Sequence, residues 1–113
     1  MKYTSVFLII LFSFKLFGQE ASLECLTVQE DDGAVSLRFS GPTSTSSFNI
    51  HRSNQLNGLY ELIHSTTNGV FNNYLDIDIN ASSQSYSYYV EAIKNGVGTG
   101  ASNKLRTILL NIN

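Results

Sequence analysis

The sequence predicts an all-β sandwich, in which two antiparallel sheets pack face to face. Short runs of alternating apolar and polar residues recur about every ten residues, with clusters of Gly, Asn, Asp or Ser between them. No window carries a sustained helical period of apolar residues. A chain of 113 residues with a single proline is long enough for one small domain of this kind.

The alternation predicts seven strands, each of which can turn one face to a core. In order, they cover residues 23–29, 34–40, 47–53, 59–65, 74–79, 86–94 and 101–110. In the first strand Leu26 and Val28 share a face, and an acidic turn (residues 30–33) follows. The second strand alternates cleanly, with an apolar face made of Val35, Leu37 and Phe39.

The third and fourth strands come from the stretch "FNIHRSNQLNGLYELI" (residues 48–63), which we interpret as a hairpin. Phe48 and Ile50 point inward, so His51 falls on the outward phase. Residues 54–58 make the turn, because Asn57-Gly58 has the backbone freedom that a chain reversal needs. The face that the fourth strand buries is left open.

The last three strands follow the same logic. The fifth strand has one apolar face, opposite Asp76, Asp78 and Tyr74, that consists of Leu75, Ile77 and Ile79. The sixth strand groups Tyr86, Tyr88, Val90 and Ala92 on one face, and the seventh groups Leu105, Thr107 and Leu109. The segment "NGVGTGASN" (residues 95–103) is interpreted as a glycine-rich loop between them.

Residues 1–19, "MKYTSVFLIILFSFKLFGQ", have the layout of a secretory signal peptide. Lys2 gives a positive start, residues 6–14 are nearly all apolar, and Gly18 lies at the expected cleavage region. A membrane-spanning helix needs about 20 predominantly apolar residues, so this run is too short. We therefore expect an exported protein that is secreted, periplasmic or on the cell surface, with residues 20–113 as its domain.

Charge and cysteine content narrow the classes of partner. Removal of residues 1–19 leaves five basic and nine acidic residues, a net charge of −4, which argues against nucleic acid and against anionic membranes. Cys25 is the only cysteine, so an intramolecular disulfide is impossible. Glu24 precedes it where a lipid-attachment motif has a small residue, so we expect a small apolar residue on the first strand.

Several segments together resemble the fibronectin type III family. "VSLRFSGP" (35–42) resembles its second strand, with Phe39 at the aromatic position, and "FNIHRS" is similar to its third. "NASSQSYSYYVEAIKNGVGTGASN" resembles the sixth strand and the following loop, with Tyr86 at the tyrosine-corner position, and "SNKLRTILL" resembles the closing strand. The resemblance implies a seven-stranded immunoglobulin-like sandwich. The combination of these segments is similar to domains of exported Bacteroidota proteins that are linked to adhesion, gliding or polymer degradation.

The residues that could carry catalysis or bind metal are few. His51 and His64 are the only histidines, and no G-x-S-x-G nucleophile motif is present. A triad with Ser53 and Asp76 or Asp78 can be drawn, but an exposed strand histidine is the simpler interpretation. Two histidines on consecutive strands lack a third zinc ligand, and we interpret the acidic residues as surface groups that keep the domain soluble. We therefore expect no enzyme activity, no cofactor and no metal.

The remaining hypothesis is surface recognition on the outward face of the third, sixth and seventh strands. Tyr89 is expected to neighbour Asn49 and His51 on one side and Lys104, Arg106 or Ile108 on the other. The candidate binding residues are Asn49, His51, Tyr89, Glu91 and Arg106. An aromatic residue flanked by charges suits a protein or glycan partner, and the alternative is an ordinary solvated sheet face with cross-strand pairs.

These observations predict a non-catalytic exported module for binding, adhesion or spacing in a cell-surface or secreted protein. The alternative is a free-standing periplasmic or surface interaction protein, such as an inhibitor or an assembly accessory. No membrane insertion is expected after the signal is removed. The sequence leaves the oligomeric state open.

Overall fold

The computed structural model describes residues 20–109, and the predicted signal peptide (residues 1–19) lies outside them. The described chain forms eight strands: β1 (Ser22–Val28), β2 (Val35–Ser40), β3 (Ser47–Ser53), β4 (Glu61–Ser65), β5 (Asn73–Asp76), β6 (Ser87–Lys94), β7 (Val97–Ala101) and β8 (Leu105–Arg106). A three-stranded sheet has the order β1-β2-β5, and a five-stranded sheet has the order β4-β3-β6-β7, with β8 also paired to β6. Every pairing is antiparallel. The predicted antiparallel β-sandwich is confirmed, with eight strands rather than seven.

The core lies between the two sheets and is filled by the strands that alternate most cleanly. Its fully buried side chains come mainly from β2, β3 and β6: Val35, Leu37, Phe39, Phe48, Ile50, Tyr88, Val90 and Ala92. Phe39 and Phe48 meet edge to face across the sheets, with ring centroids 4.8 Å apart. Removal of this apolar surface from water is the main force that holds the sheets together. The predicted inward faces of these three strands are therefore confirmed.

A β-bulge in β1 changes which of its residues face the core. The register with β2 shifts between Leu23 and Cys25, which leaves Glu24 as the extra residue. Leu23 and Leu26 consequently both pack on the core although they are three positions apart. Cys25 points away from the core and is exposed.

The predicted glycine-rich loop is wrong, because residues 95–103 contain strand β7. Lys94 pairs with Val97, so only Asn95 and Gly96 form the turn, with φ of 52° and 82°. Two consecutive positive φ angles define a tight turn whose twist matches that of a hairpin, and Asn-Gly is the preferred pair for it. The predicted strand 101–110 shrinks to β8, and Leu110 lies outside the described residues.

The apolar alternation of β5 did not reveal which side of the strand is buried. Leu75 and Ile77 are 42 % and 68 % exposed, whereas Asp76 is 0 % exposed. Arg52 Nη1 donates to both Asp76 oxygens at 3.0 and 2.9 Å, and the Tyr88 hydroxyl donates to Oδ2 at 2.7 Å. A buried carboxylate is stable only when paired in this way. The interpretation of Asp76 as a surface residue is therefore wrong.

The tyrosine corner expected at Tyr86 is also not formed. The Tyr86 hydroxyl accepts a hydrogen bond from Gln84 Nε2 at the surface instead of donating to the backbone. The Tyr88 phenol occupies the interior, where burial raises its pKa and the hydrogen bond to Asp76 raises it further. Tyr88 is therefore protonated and acts as a hydrogen-bond donor at every physiological pH. Within residues 20–109, no helix has the length and apolar character to cross a membrane.

Candidate functional site

The outward residues of β3 and β6 lie side by side on the five-stranded sheet. Asn49 is paired with Glu91 and His51 with Tyr89 in the antiparallel register. Because side chains alternate along a strand, all four point away from the core while their neighbours Ile50 and Val90 are buried. The structure thus brings these four candidate binding residues together on one face.

The rings of His51 and Tyr89 stack on each other. Their centroids are 4.4 Å apart and their planes differ by 9°. Tyr60, just before β4, meets Tyr89 edge to face, with centroids 5.1 Å apart. The Tyr60 hydroxyl donates to the Leu56 carbonyl at 2.8 Å, which fixes this ring in place.

A lysine completes this group at its outer side. Lys104 Nζ lies 5.0 Å from the centroid of the Tyr60 ring, within the range of a cation–π contact. We name the four residues His51, Tyr89, Tyr60 and Lys104 the aromatic shelf. Beside it is a shallow depression of about 310 Å³, lined by Gly58, Leu59, Tyr60, Tyr89, Ala101, Ser102 and Lys104.

His51 forms the inner end of the aromatic shelf and is partly desolvated. Its Nε2 atom is buried and has no hydrogen-bond partner among residues 20–109, since the nearest Glu91 oxygen is 3.8 Å away. Burial lowers the pKa of His51, and the negative charge of Glu91 only partly opposes this. The imidazole is consequently neutral near pH 7.

Glu91 lies across the sheet from His51 towards β7. Its carboxylate occupies the space that a Cβ at Gly98 would need, so the glycine allows this close approach. Burial raises the pKa of Tyr89, and Glu91 raises it further. Asn49 is held by the Ser65 hydroxyl, which donates to its side-chain oxygen at 2.7 Å.

Arg106 lies at one end of the same sheet face. It pairs with Ser87 near the start of β6 and donates to the Ser87 hydroxyl at 2.6 Å and to the Asn54 carbonyl at 3.2 Å. Ser87 has the same strand phase as Tyr89 and Glu91, so Arg106 is on the side of the other four candidate residues, while its hydrogen bonds connect β8 to the turn after β3.

The residues considered for catalysis or metal binding are dispersed. His64 stacks on Tyr74, with ring centroids 4.4 Å apart, on the side of β4 opposite the aromatic shelf. Asp76 is engaged by Arg52 and Tyr88, and the Ser53 hydroxyl accepts from the Gln55 amide. Among the described residues, no three His, Cys, Asp or Glu side chains are close enough to hold a metal ion.

Sequence reasoning missed Tyr60 and the depression beside it. Tyr60 follows the Asn57-Gly58 turn, so its position at the start of the returning strand was predictable. Its contact with Tyr89 depends on how the loop folds back over β6, and no local pattern encodes that. The available signal was the cluster of tyrosines on outward phases.

The sheet order, the aromatic core and the exposed face define a fibronectin type III-like β-sandwich. The structure resembles an Fn3-like protein from Clostridium thermocellum, with a TM-score of 0.66 and 25 % identity over 81 % of this chain and 92 % of that one. It also resembles a fibronectin type III domain of the human KIAA0970 protein, with a TM-score of 0.65 and 14 % identity over 100 % of this chain and 88 % of that one.

A third similar structure is the pectate lyase PelI from Erwinia chrysanthemi. The TM-score is 0.66 and the identity is 21 % over 78 % of this chain. This chain spans only 27 % of that enzyme, so the likeness concerns the fold of one part of it. No protein-family model matches the sequence, and no curated protein matches it either.

Proposed function

We propose that this chain is a non-catalytic, exported module that binds a protein or glycan at the cell surface through the aromatic shelf. The observation that carries the proposal is the stack of His51 on Tyr89, extended by Tyr60 and Lys104. Partly exposed aromatic rings beside a cation give a recognition surface both contact area and polarity. Export rests on the signal peptide predicted for residues 1–19.

The comparisons support a modular role. The part of a pectate lyase that resembles this chain makes up 27 % of that enzyme, so this fold occurs as one part of a larger protein. In that setting the present chain would be a spacer or recognition unit, and pectate cleavage remains the activity of that enzyme. The non-catalytic role is supported by the contacts of His51, which are a tyrosine ring and a carboxylate.

Binding assays on the purified protein test the proposal. We expect a panel of purified polysaccharides and extracellular proteins to include a ligand whose affinity falls at least about tenfold for Tyr89→Ala. Arg38→Gln is the matched control, because Arg38 lies exposed on the outer face of the other sheet. Equal binding by Tyr89→Ala and wild type would refute the assignment of the face.

A turnover assay tests the non-catalytic part separately. We expect no turnover of the bound ligand by the purified protein. Reproducible turnover that disappears in His51→Ala would establish an enzyme and overturn this part of the proposal. His64→Ala serves as the control, since His64 stacks on Tyr74 away from the aromatic shelf.

A free-standing interaction protein is the second candidate function. It is favoured by the Fn3-like protein from Clostridium thermocellum, of which this chain covers 92 %, because a chain of nearly this size alone carries the fold. The sequence encoded beyond Asn113 separates the two candidates. Further β-modules or a catalytic domain there would favour the spacer, and a stop would favour the free-standing protein.

A further inference from the structure

Lys104 has no carboxylate partner in the described chain, in contrast to Arg52 and Arg38 but like Arg106, which contacts neutral oxygens. Arg52 binds Asp76 and Glu61, and Arg38 lies 3.8 Å from Glu24. Among residues 20–109, no carboxylate lies within 4 Å of Lys104 Nζ, which instead contacts the face of the Tyr60 ring. The net negative charge of the domain opposes anionic ligands at long range, so the attraction for an anion on this face is local and comes from the positive charge of Lys104.

The depression beside Lys104 has the size and lining for one ring-shaped unit. Its volume of about 310 Å³ is at the lower end of the range for ligand sites, which is about 300–1,000 Å³. Tyr60 and Tyr89 present ring surface to it, and Gly58 and Ala101 keep it open with small residues. The apolar C–H face of a sugar ring packs well against the electron-rich face of an aromatic ring.

The surroundings of the depression favour a saccharide over an extended peptide. A peptide that adds to the sheet would pair with the outer edge of β7, whereas the depression lies among the side chains of Tyr60, Tyr89 and Lys104. Peptide addition needs a run of free backbone groups along such an edge. Residues 58–60 close the other side of the depression, where Leu59 stands 96 % exposed.

We propose that the aromatic shelf binds a carboxylated saccharide, such as a hexuronate unit of an acidic polysaccharide. The sugar ring lies in the depression against Tyr60 and Tyr89, and its carboxylate pairs with Lys104 Nζ. Tyr60 is already held by its hydrogen bond to Leu56, so little ordering is needed on binding. This assignment rests on the proposed function, since it names the ligand class of the same face.

Calorimetric titration with a galacturonate tetrasaccharide and with its neutral galactose counterpart tests the proposal. We expect the acidic sugar to bind at least about tenfold more tightly, because a charge-assisted contact to Lys104 is absent from the neutral one. Lys104→Gln should remove this difference. Lys94→Gln, which changes an exposed lysine at the end of β6, should leave it unchanged, and added salt should reduce it.

Results that contradict the acidic saccharide differ from results that contradict the proposed function. Equal affinity for both sugars, or no effect of Lys104→Gln, overturns the acidic ligand, while a loss of binding in Tyr89→Ala would still support recognition at this face. Failure of both sugars to bind at millimolar concentration, alongside Tyr89-dependent binding of a protein, overturns the saccharide alone. If a Glu-rich peptide bound as tightly as the acidic sugar and this binding depended on Lys104, the ligand would be assigned as an acidic peptide instead of a saccharide.

Discussion

His51 combines a stacked ring with a buried nitrogen that has no hydrogen-bond partner in the described chain. The groups that face it are Tyr89 and Glu91 on β6, with Tyr60 and Lys104 beyond Tyr89. Only Glu91 among them favours a protonated imidazole, and burial outweighs it. The aromatic shelf is therefore most stable when His51 is neutral.

This environment predicts a loss of stability in mild acid. The folded-state pKa of His51 lies below the ordinary value of 6.5, so the unfolded chain takes up the proton first as the pH falls. The contribution of His51 is therefore fully present above pH 6.5 and is lost as the pH decreases towards the folded-state pKa.

Urea unfolding of wild type and His51→Gln between pH 7.5 and 5 measures this effect. We expect the unfolding free energy of wild type to fall more steeply than that of His51→Gln. His64→Gln is the control for the removal of an imidazole at another position of the domain. Identical slopes for all three proteins would contradict the prediction.

Tyr86 and Tyr88, two positions apart on the same side of one segment, contribute differently to stability. The Tyr88 hydroxyl donates to buried Asp76, whereas the Tyr86 hydroxyl meets only exposed Gln84. We expect Tyr88→Phe to lower the unfolding free energy by about 1–3 kcal/mol, because it removes a hydrogen bond from a buried charge. Tyr86→Phe should cost less than about 0.5 kcal/mol. A larger loss for Tyr86→Phe than for Tyr88→Phe would contradict this assignment.

At the scale of elements, the β6–β7 hairpin depends on its two-residue turn. A side chain at Gly96 would meet no atom within 4 Å, but its φ of 82° is strained for other residues. We expect Gly96→Ala to lower the unfolding free energy by about 1–2 kcal/mol. Gly96→Asn should lower the unfolding free energy by less, since Asn tolerates positive φ angles better than Ala does. Chemical unfolding measures both, and equal losses would argue against strain as the cause.

How far each element could be predicted depends on whether its determinants are local. β2, β3 and β6 were predictable because their alternation matches a buried face. β7 was also encoded, since Asn95-Gly96 is a strong hairpin signal, but the glycines after it favoured a loop. The orientation of β5 was not predictable, because the groups that stabilise Asp76 in the interior are 12 and 24 positions away along the chain.

The same distinction applies to the candidate site. The pairing of His51 with Tyr89 follows from strand phase and neighbouring strands, so it could be predicted. The side of the sheet on which Arg106 lies also follows from phase, but its pairing with Ser87 did not, because β8 is only two residues long. The contact of Tyr60 with Tyr89 depends on the conformation of the loop before β4, which the alternation of apolar and polar residues does not predict.

At the scale of the whole molecule, Asp76 links the two sheets. It belongs to β5 of the three-stranded sheet, whereas Arg52 and Tyr88 belong to β3 and β6 of the five-stranded sheet. His51 and Tyr89 of the aromatic shelf each adjoin one member of this cluster in sequence but point to the opposite side. The interior and the aromatic shelf can therefore be altered independently.

Asp76→Asn tests the link between the sheets. It removes the buried carboxylate that Arg52 contacts and leaves only the exposed Glu61, 3.4 Å away, beside the Arg52 charge, and we expect a loss of about 3–5 kcal/mol in the unfolding free energy. Asp78→Asn is the matched control and should change it by less than about 0.5 kcal/mol, because Asp78 is exposed. Urea denaturation measures both variants, and similar small losses would show that the ion pair contributes little.

The outward orientation of Leu75 and Ile77 has a consequence for the alignment of β5. A slip of the strand by one residue would turn both side chains towards the interior and expel Asp76 and Tyr74. Burial of Leu75 and Ile77 therefore favours the shifted alignment, and the charged pair of Asp76 with Arg52 favours the native one. Removal of that pair would reduce the energy gap between the two alignments.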